Sequence, residues 1–401
     1  MITRPQGFAA GATTCGLKPS GAADLAVIAS VHEGPCAAAG VFTKNRFPGA
    51  PVVVSRRHVR AGRARAIVCN SGISNVGTGE KGLLDAAGMC AAVAEKLGGG
   101  ATPRQVLPAS TGIIGVPLPI DKIIAGIGEV VPRLARGDET DEATARAILT
   151  TDTRCKAATH RVKLSTGTAT LGAIAKGAGM IAPNMATMLA FVTTDAAIDA
   201  RRLKPMLRAA AAATFNRISI DGDTSTSDMV LVLANGASGA SVDAADDELA
   251  FAAALHDLCA DLGEQLVRDG EGVTRLMRVT VTGAATERDA DRVGRAVVDS
   301  PLVKCALHGG DANWGRLVMA VGKSGATFDP LRLSITVGGV VLLRDGEPVP
   351  RKAPEQRNLE TAMQRDDVPY LIDLGQGEAT ATWIGCDLSR EYVAINADYT
   401  T

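Results

Sequence analysis

Short apolar runs and longer amphipathic stretches alternate along the first third of the chain. Ala64 to Cys69 is a continuous small-apolar run that ends at Asn70-Ser71-Gly72, which predicts a buried strand. Lys81 to Leu97 carries helical spacing and stops at three consecutive glycines, Gly98 to Gly100. Gln105 to Leu107 predicts a short strand, and Ile120 to Leu134 a helix that starts after Pro119. Strand followed by helix, repeated, predicts a layered α/β domain. Thr166 to Ala175 reads as a strand, and a second one is expected from Thr187 to about Asp195. Between them, the glycines and proline of Lys176 to Ala186 exclude regular helix and predict a bend beside the core. Arg201 to Ala213 is an Ala-rich helix. Asp246 to Arg268 is a longer one, with an expected buried stripe of Leu249, Ala252, Ala253, His256, Cys259, Leu262 and Leu266. Beyond Leu276 the texture returns to alternation, over Met277 to Thr282 and over Leu331 to Leu343, with Gly338-Gly339 inside the latter. We expect three units: 1–195, an N-terminal α/β layered domain; 196–275, a helical and strand segment completing its layers; and 276–401, a smaller C-terminal α/β domain.

Composition narrows the class. The chain has 401 residues, enough for two or three domains and a large core. Aromatics are only 3%, so Ala, Val, Leu and Ile must fill that core. A formal net charge of −1 gives no support to nucleic-acid binding or to an anionic membrane surface. The eight cysteines are scattered with no C-x-x-C pair, which argues against a disulfide framework and a structural zinc site. No stretch approaches the roughly 20 apolar residues of a membrane helix, and the first residues lack a signal-peptide core, so a cytoplasmic protein is expected.

Thr187 carries the sharpest chemistry. A hydroxyl on Cβ can attack the carbonyl of its own preceding peptide bond through a five-membered ring. The resulting ester at Ala186 is then hydrolysed. The α-amine so freed has a reference pKa of roughly 7.7–8.0 and lies beside the same hydroxyl, the arrangement of an amine-activated threonine nucleophile. An apolar strand holding an ordinary threonine fits Met185 to Leu189 equally well on residues alone. Ser110-Thr111-Gly112 follows a strand and can aim a hydroxyl and a backbone N–H at one point, as an oxyanion hole requires; a plain glycine turn has the same spacing. Lys176 is placed to hold a carboxylate, or is a solvated lysine. Asp221 to Asp228 lacks the EF-hand spacing and reads as a turn whose side chains bond the backbone. Glu271, between Gly270 and Gly272, suits a helix end. Gly309 to Arg316 is a polar loop around Trp314, either a site wall or a simple connection.

Together these segments resemble one family. Lys176 to Leu189 (KGAGMIAPNMATML) is similar to the signature of the ornithine acetyltransferases. The likeness continues through Ala38 to Asn45, Ser110 to Gly115, Leu149 to Thr153, Ser219 to Asp228, Asp269 to Thr274, Ser300 to Lys304, the Trp314 loop and the last residues. The resemblance implies an αββα-type, self-cleaving N-terminal-nucleophile fold with a smaller C-terminal α/β domain. It implies cleavage between Ala186 and Thr187 into chains 1–186 and 187–401. The activity implied is transfer of acetyl from N2-acetyl-L-ornithine to L-glutamate in arginine biosynthesis, with acetyl-CoA as a further donor in some members. By the same resemblance Thr187 is the nucleophile, Thr111 and Gly112 form the oxyanion hole, and Thr150, Lys176, Thr187, Glu271, Asn396 and Thr401 bind substrate. No metal or other cofactor is implied, and the mature form is a heterotetramer of two α and two β chains. The chain departs from the family pattern at Ile73, where an asparagine is usual, and at Gly77, where a cysteine is usual. An aminopeptidase or amidase on the same scaffold, a paralogue of secondary metabolism and a catalytically silent binding protein remain as alternatives.

Overall fold

The computed structural model describes residues 1–182 and 188–398; the expected cleavage pair Ala186 and Thr187, and the expected substrate residue Thr401, lie outside the described residues. The strands are β1 (Phe8–Thr13), β2 (Leu25–Ser30), β3 (Cys36–Phe42), β4 (Arg63–Ala64), β5 (Ala66–Asn70), β6 (Val106–Ser110), β7 (Lys156–Leu164), β8 (Gly167–Lys176), β9 (Leu189–Thr194), β10 (Met229–Ala234), β11 (Leu276–Ala284), β12 (Ser334–Val337), β13 (Val340–Arg344), β14 (Glu347–Pro348), β15 (Asp367–Asp373) and β16 (Ala379–Cys386). The helices are α1 (Ala50–His58), α2 (Gly79–Leu97), α3 (Ile120–Val130), α4 (Asp138–Ala147), α5 (Ala200–Ala213), α6 (Ala245–Arg268), α7 (Glu287–Val298), α8 (Pro301–His308), α9 (Trp314–Gly322), α10 (Ala353–Met363) and α11 (Arg390–Asp398).

Two sheets, in the orders β1-β2-β5-β6 and β4-β3-β10-β9-β8-β7, stack face to face. Strand alternation explains how. In β5, Ile67 and Cys69 point into the space between the sheets, where they meet Leu189, Phe191 and Leu231 from the other sheet. Ala66 and Val68 point the opposite way, onto Met89, Cys90 and Val93 of α2 and Ile123 and Ile127 of α3. In β10, Met229, Leu231 and Leu233 face the inter-sheet core. Val230 and Val232 face the second helical layer, Leu203 and Leu207 of α5 and Leu255, Leu258 and Leu262 of α6. The order helix, sheet, sheet, helix is the expected αββα sandwich. A third sheet, β14-β13-β12-β15-β11-β16, carries its own core under α7 to α10 and forms the smaller C-terminal α/β unit.

The α6 stripe differs from expectation. Leu249 is 72% exposed, and the buried face starts instead at Phe251 and continues through Leu255, Leu258, Cys259, Leu262 and Leu266. His256 points outward, within reach of the Asp257 carboxylate. The expected single strand Leu331–Leu343 is a hairpin, because Gly338 and Gly339 take φ of +59° and +87° and reverse the chain. The Trp314 loop lies in the C-terminal unit as a helix start: the Asn313 side chain accepts from the Arg316 N–H at 3.1 Å.

Candidate functional site

Four segments that are far apart in sequence meet at one end of the sandwich. The parallel pair β5–β6 runs out into two adjacent turns, 71–75 and 111–115, bridged at Ile73 and Ile113. Gly112 has φ of +126°, and a Cβ there would sit 2.2 Å from the Gly72 carbonyl carbon, so only glycine lets the turns approach this closely. The Thr111 N–H is taken by the Asn70 carbonyl at 3.0 Å. That leaves the Thr111 hydroxyl and the Gly112 N–H as the donors the turn can offer. Asn70 itself is fixed by Ser110, whose hydroxyl donates to Oδ1 at 2.5 Å, and by its own donation to the Ile73 carbonyl at 2.8 Å.

Lys176 closes β8. Its Nζ donates to Thr150 Oγ1 at 2.7 Å and lies 3.7 Å from Asp152. Asp152 is buried and works harder than that one contact suggests. Its Oδ1 accepts from Gly177 N at 2.6 Å and from Lys156 Nζ at 2.5 Å. Burial favours its neutral form, but Lys176, Lys156 and the hydrogen bonds together outweigh burial and hold its carboxyl below the usual carboxylate range. Lys156, 1% exposed, also pairs with Asp269, which accepts from the Thr153 hydroxyl and from the N–H groups of Thr153 and Arg154. This buried network ties the 150–156 segment to the end of α6. Two residues further on stands Glu271. Its N–H donates to Ala178 at 2.8 Å and its carboxylate accepts from Asn396 Nδ2 at 2.9 Å. A Cβ on Gly179 would come within 2.7 Å of that carboxylate, so a side chain there would push Glu271 aside.

The turn 221–228 is knit as expected. Asp221 accepts from Met180 N at 2.6 Å and Ile181 N at 2.8 Å, and the Thr224 hydroxyl donates to the Ala182 carbonyl at 2.8 Å. The two stretches flanking the residues 183–187 are therefore pinned, on one side to this turn and on the other by Met229 N donating to the Met188 carbonyl at 2.9 Å.

A cavity of about 340 Å³ opens at this convergence. Thr111, Gly112, Thr150, Lys176, Glu271 and Asn396 all line it, with Met188, Ser225 and Asp228. Every expected site residue that is described thus lies on one wall of one space; Ile73 and Gly77 are not among its lining residues. A larger depression, about 1110 Å³, runs beside β3 under Arg56, Arg60, Arg201 and Arg208, and none of the expected residues reaches it. The convergence of donors and charges marks the smaller one as the candidate site.

The ArgJ family model matches residues 9–401. The chain belongs to the ArgJ family. The arginine biosynthesis bifunctional protein ArgJ of Symbiobacterium thermophilum is 47% identical over 404 residues, covering 100% of this chain and 98% of the relative. That of Thermus thermophilus is 44% identical and covered completely on both sides. The crystal structure of the Bacillus halodurans protein of the same name is 43% identical with a TM-score of 0.50, and it matches 52% of this chain and 98% of its own.

Sequence reasoning assigned no role to Asp152 or Tyr392, and gave Asp221 and Asp228 only that of turn residues bonding the backbone. Asp152 was visible only within Leu149–Thr153, a segment that carries family likeness without revealing that its carboxylate lies between two lysines. Tyr392, which donates to Asp221 at 3.3 Å, gave no signal of its own, although the resemblance placed Asn396 of the same helix in the substrate site.

Proposed function

We propose that this protein transfers the acetyl group of N2-acetyl-L-ornithine to L-glutamate in arginine biosynthesis, using Thr187 freed by self-cleavage after Ala186. The observation that carries this reading is the cavity. An oxyanion-type turn, a lysine and a glutamate–asparagine pair converge where the chain enters β9, two residues after position 187. The names of the full-length relatives support the pathway. The Bacillus halodurans structure supports the cleavage, because a solved chain matched by 52% of this one has the size of a cleavage product.

In this reading the Thr187 amine takes the hydroxyl proton as the oxygen attacks the acetyl carbonyl. The Thr111 hydroxyl and Gly112 N–H receive the oxyanion, an effect often worth about 3–4 kcal/mol per donor. The ammonium returns its proton to the departing ornithine nitrogen, leaving acetyl-threonine. Glutamate then attacks the ester, and the threonine oxygen regains a proton. Lys176 holds the substrate α-carboxylate, with Thr150 orienting the ammonium. Glu271 and Asn396, with Thr401, receive the far end of the ornithine side chain. The word bifunctional in the relatives' names favours a second reaction on the same nucleophile, and acetyl-CoA is our candidate donor for it. A heterotetramer of two α and two β chains in the cytoplasm completes the reading.

On a denaturing gel the purified protein should give two bands, of 186 and 215 residues (401 − 186 = 215). Thr187→Ala should give one band and no transfer. Initial rates with N-acetylornithine and glutamate varied together should plot as parallel lines. A fully active, uncut wild type would end this reading. Ornithine release undiminished without glutamate would make the protein an amidase instead.

A further inference from the structure

Asp228 ends the 221–228 turn and stands one residue before β10. Its main chain is fixed by the Thr43 N–H, which donates to the Asp228 carbonyl at 3.0 Å. Because Met229 pairs with Leu189 in parallel register, Asp228 is carried next to Met188 on the neighbouring strand, about 4.8 Å away by ordinary strand spacing. Asp228 is among the residues lining the cavity, yet it is only 2% exposed. The Oδ2 atom has no hydrogen-bond partner among the described residues. Buried polar oxygens are nearly always paired, so one left open on a cavity wall is a contact that a ligand can complete. Burial pushes this carboxyl well above the ordinary range, against the opposing pull of the Ser225 hydroxyl, Lys176 and the Thr43 hydroxyl. Those groups and Glu271, on the same cavity, are the polar neighbours that matter for its charge.

We propose that Asp228 binds the α-amino nitrogen of the amino-acid substrate. The inference rests on the reading above, in which Lys176 holds the α-carboxylate. In an α-amino acid the carboxylate and the amine hang from one carbon. A ligand whose carboxylate is on Lys176 therefore presents its amine close by, while its side chain extends towards Glu271 and Asn396. Asp228 is the cavity carboxyl that Lys176 influences directly and whose oxygen is open. When an ammonium arrives, Oδ2 gains its missing partner and the carboxylate form gains a counter-charge. An ion pair forms. Asp228 thereby selects a free α-amine for binding, which is what an acetyl acceptor must supply.

The test is calorimetric titration of the mature protein near neutral pH with L-ornithine and with 5-aminopentanoate, the same chain lacking the α-amine. The wild type should bind ornithine at least about tenfold more tightly. Asp228→Asn should bring ornithine down to the affinity of 5-aminopentanoate, whose own Kd should move less than about twofold. A merely structural role would weaken both ligands alike. Equal wild-type affinity for the two ligands overturns the proposal, whether or not the variant folds. So does an ornithine preference that survives Asp228→Asn. If neither ligand binds the wild type, the underlying reading of the site falls and takes the proposal with it.

Discussion

A lysine that is almost wholly buried must find its counter-charges inside the protein, and Lys156 finds two, Asp152 and Asp269. Removing one partner of such a group leaves charge without compensation, a change that typically costs about 3–5 kcal/mol. Asp269→Ala should therefore lower the unfolding free energy by up to that order, seen as a lower urea midpoint at an unchanged unfolding slope. It should also slow transfer, because Glu271 stands two residues along. The same network sets an acid limit. The folded-state pKa of Asp152 is depressed, so its contribution is complete above the unfolded carboxylate range, near pH 4, and is lost as pH falls towards the folded value. Denaturation at a series of pH values should show Asp152→Asn and wild type converging in stability below about pH 4; parallel curves down to the acid end would contradict this. At this scale Thr111, Gly112 and Lys176 were singled out by the family likeness, because a plain glycine turn and a solvated lysine fit their settings on residues alone. The backbone bonding of Asp221 was legible as turn chemistry, whereas Asp152 and Asp228 were not, being common residues in polar turns until the fold brings lysines or a cavity to them.

Elements differ in how firmly they are built in, and α11 is the lightest. None of its residues is buried, and it is held by Asn396 to Glu271 and by Tyr392 to Asp221 and Ser389. Ending the chain after Ser389 should therefore shift Tm by only a few degrees. The same truncation removes Ile395 and Asn396 from the cavity wall and should raise KM for N-acetylornithine at least about tenfold. A large loss of Tm would mean the helix supports the fold rather than the pocket. Long periodic segments such as α2, α5 and α6 were legible within one or two residues at their ends. The buried face of α6 was not, because Ala and Leu occur all around its first turns and periodicity alone could not choose between Leu249 and Phe251. The strand β7 escaped notice for a related reason. Its alternation rests on Ala158, Val162 and Leu164, and its first inward residue is the charged Lys156.

The whole molecule hangs on the order β4-β3-β10-β9-β8-β7. Strands β9 and β10 lie after residue 187 and are inserted between β3 and β8, which lie before it. Cutting the bond before Thr187 should thus leave the two pieces paired along two strand borders. On native size exclusion they should elute as one species, and separation without denaturant would contradict the proposed site of cleavage. A layered α/β domain was legible from the alternation of strands and helices, and its αββα form from the family likeness, but strand order was not, because pairing over nearly two hundred residues leaves no local trace. The insertion also reaches into how the protein is made. A continuous chain closes this sheet as a unimolecular event, at a rate indifferent to dilution. Two halves synthesised from separate messages would have to collide first, each with raw strand edges exposed, and their yield would fall with concentration while aggregation competed. The proposed scission is then an event for a finished fold, and under that proposal the interval between translation and maturation is one in which the precursor is already native in shape but still lacks its amine.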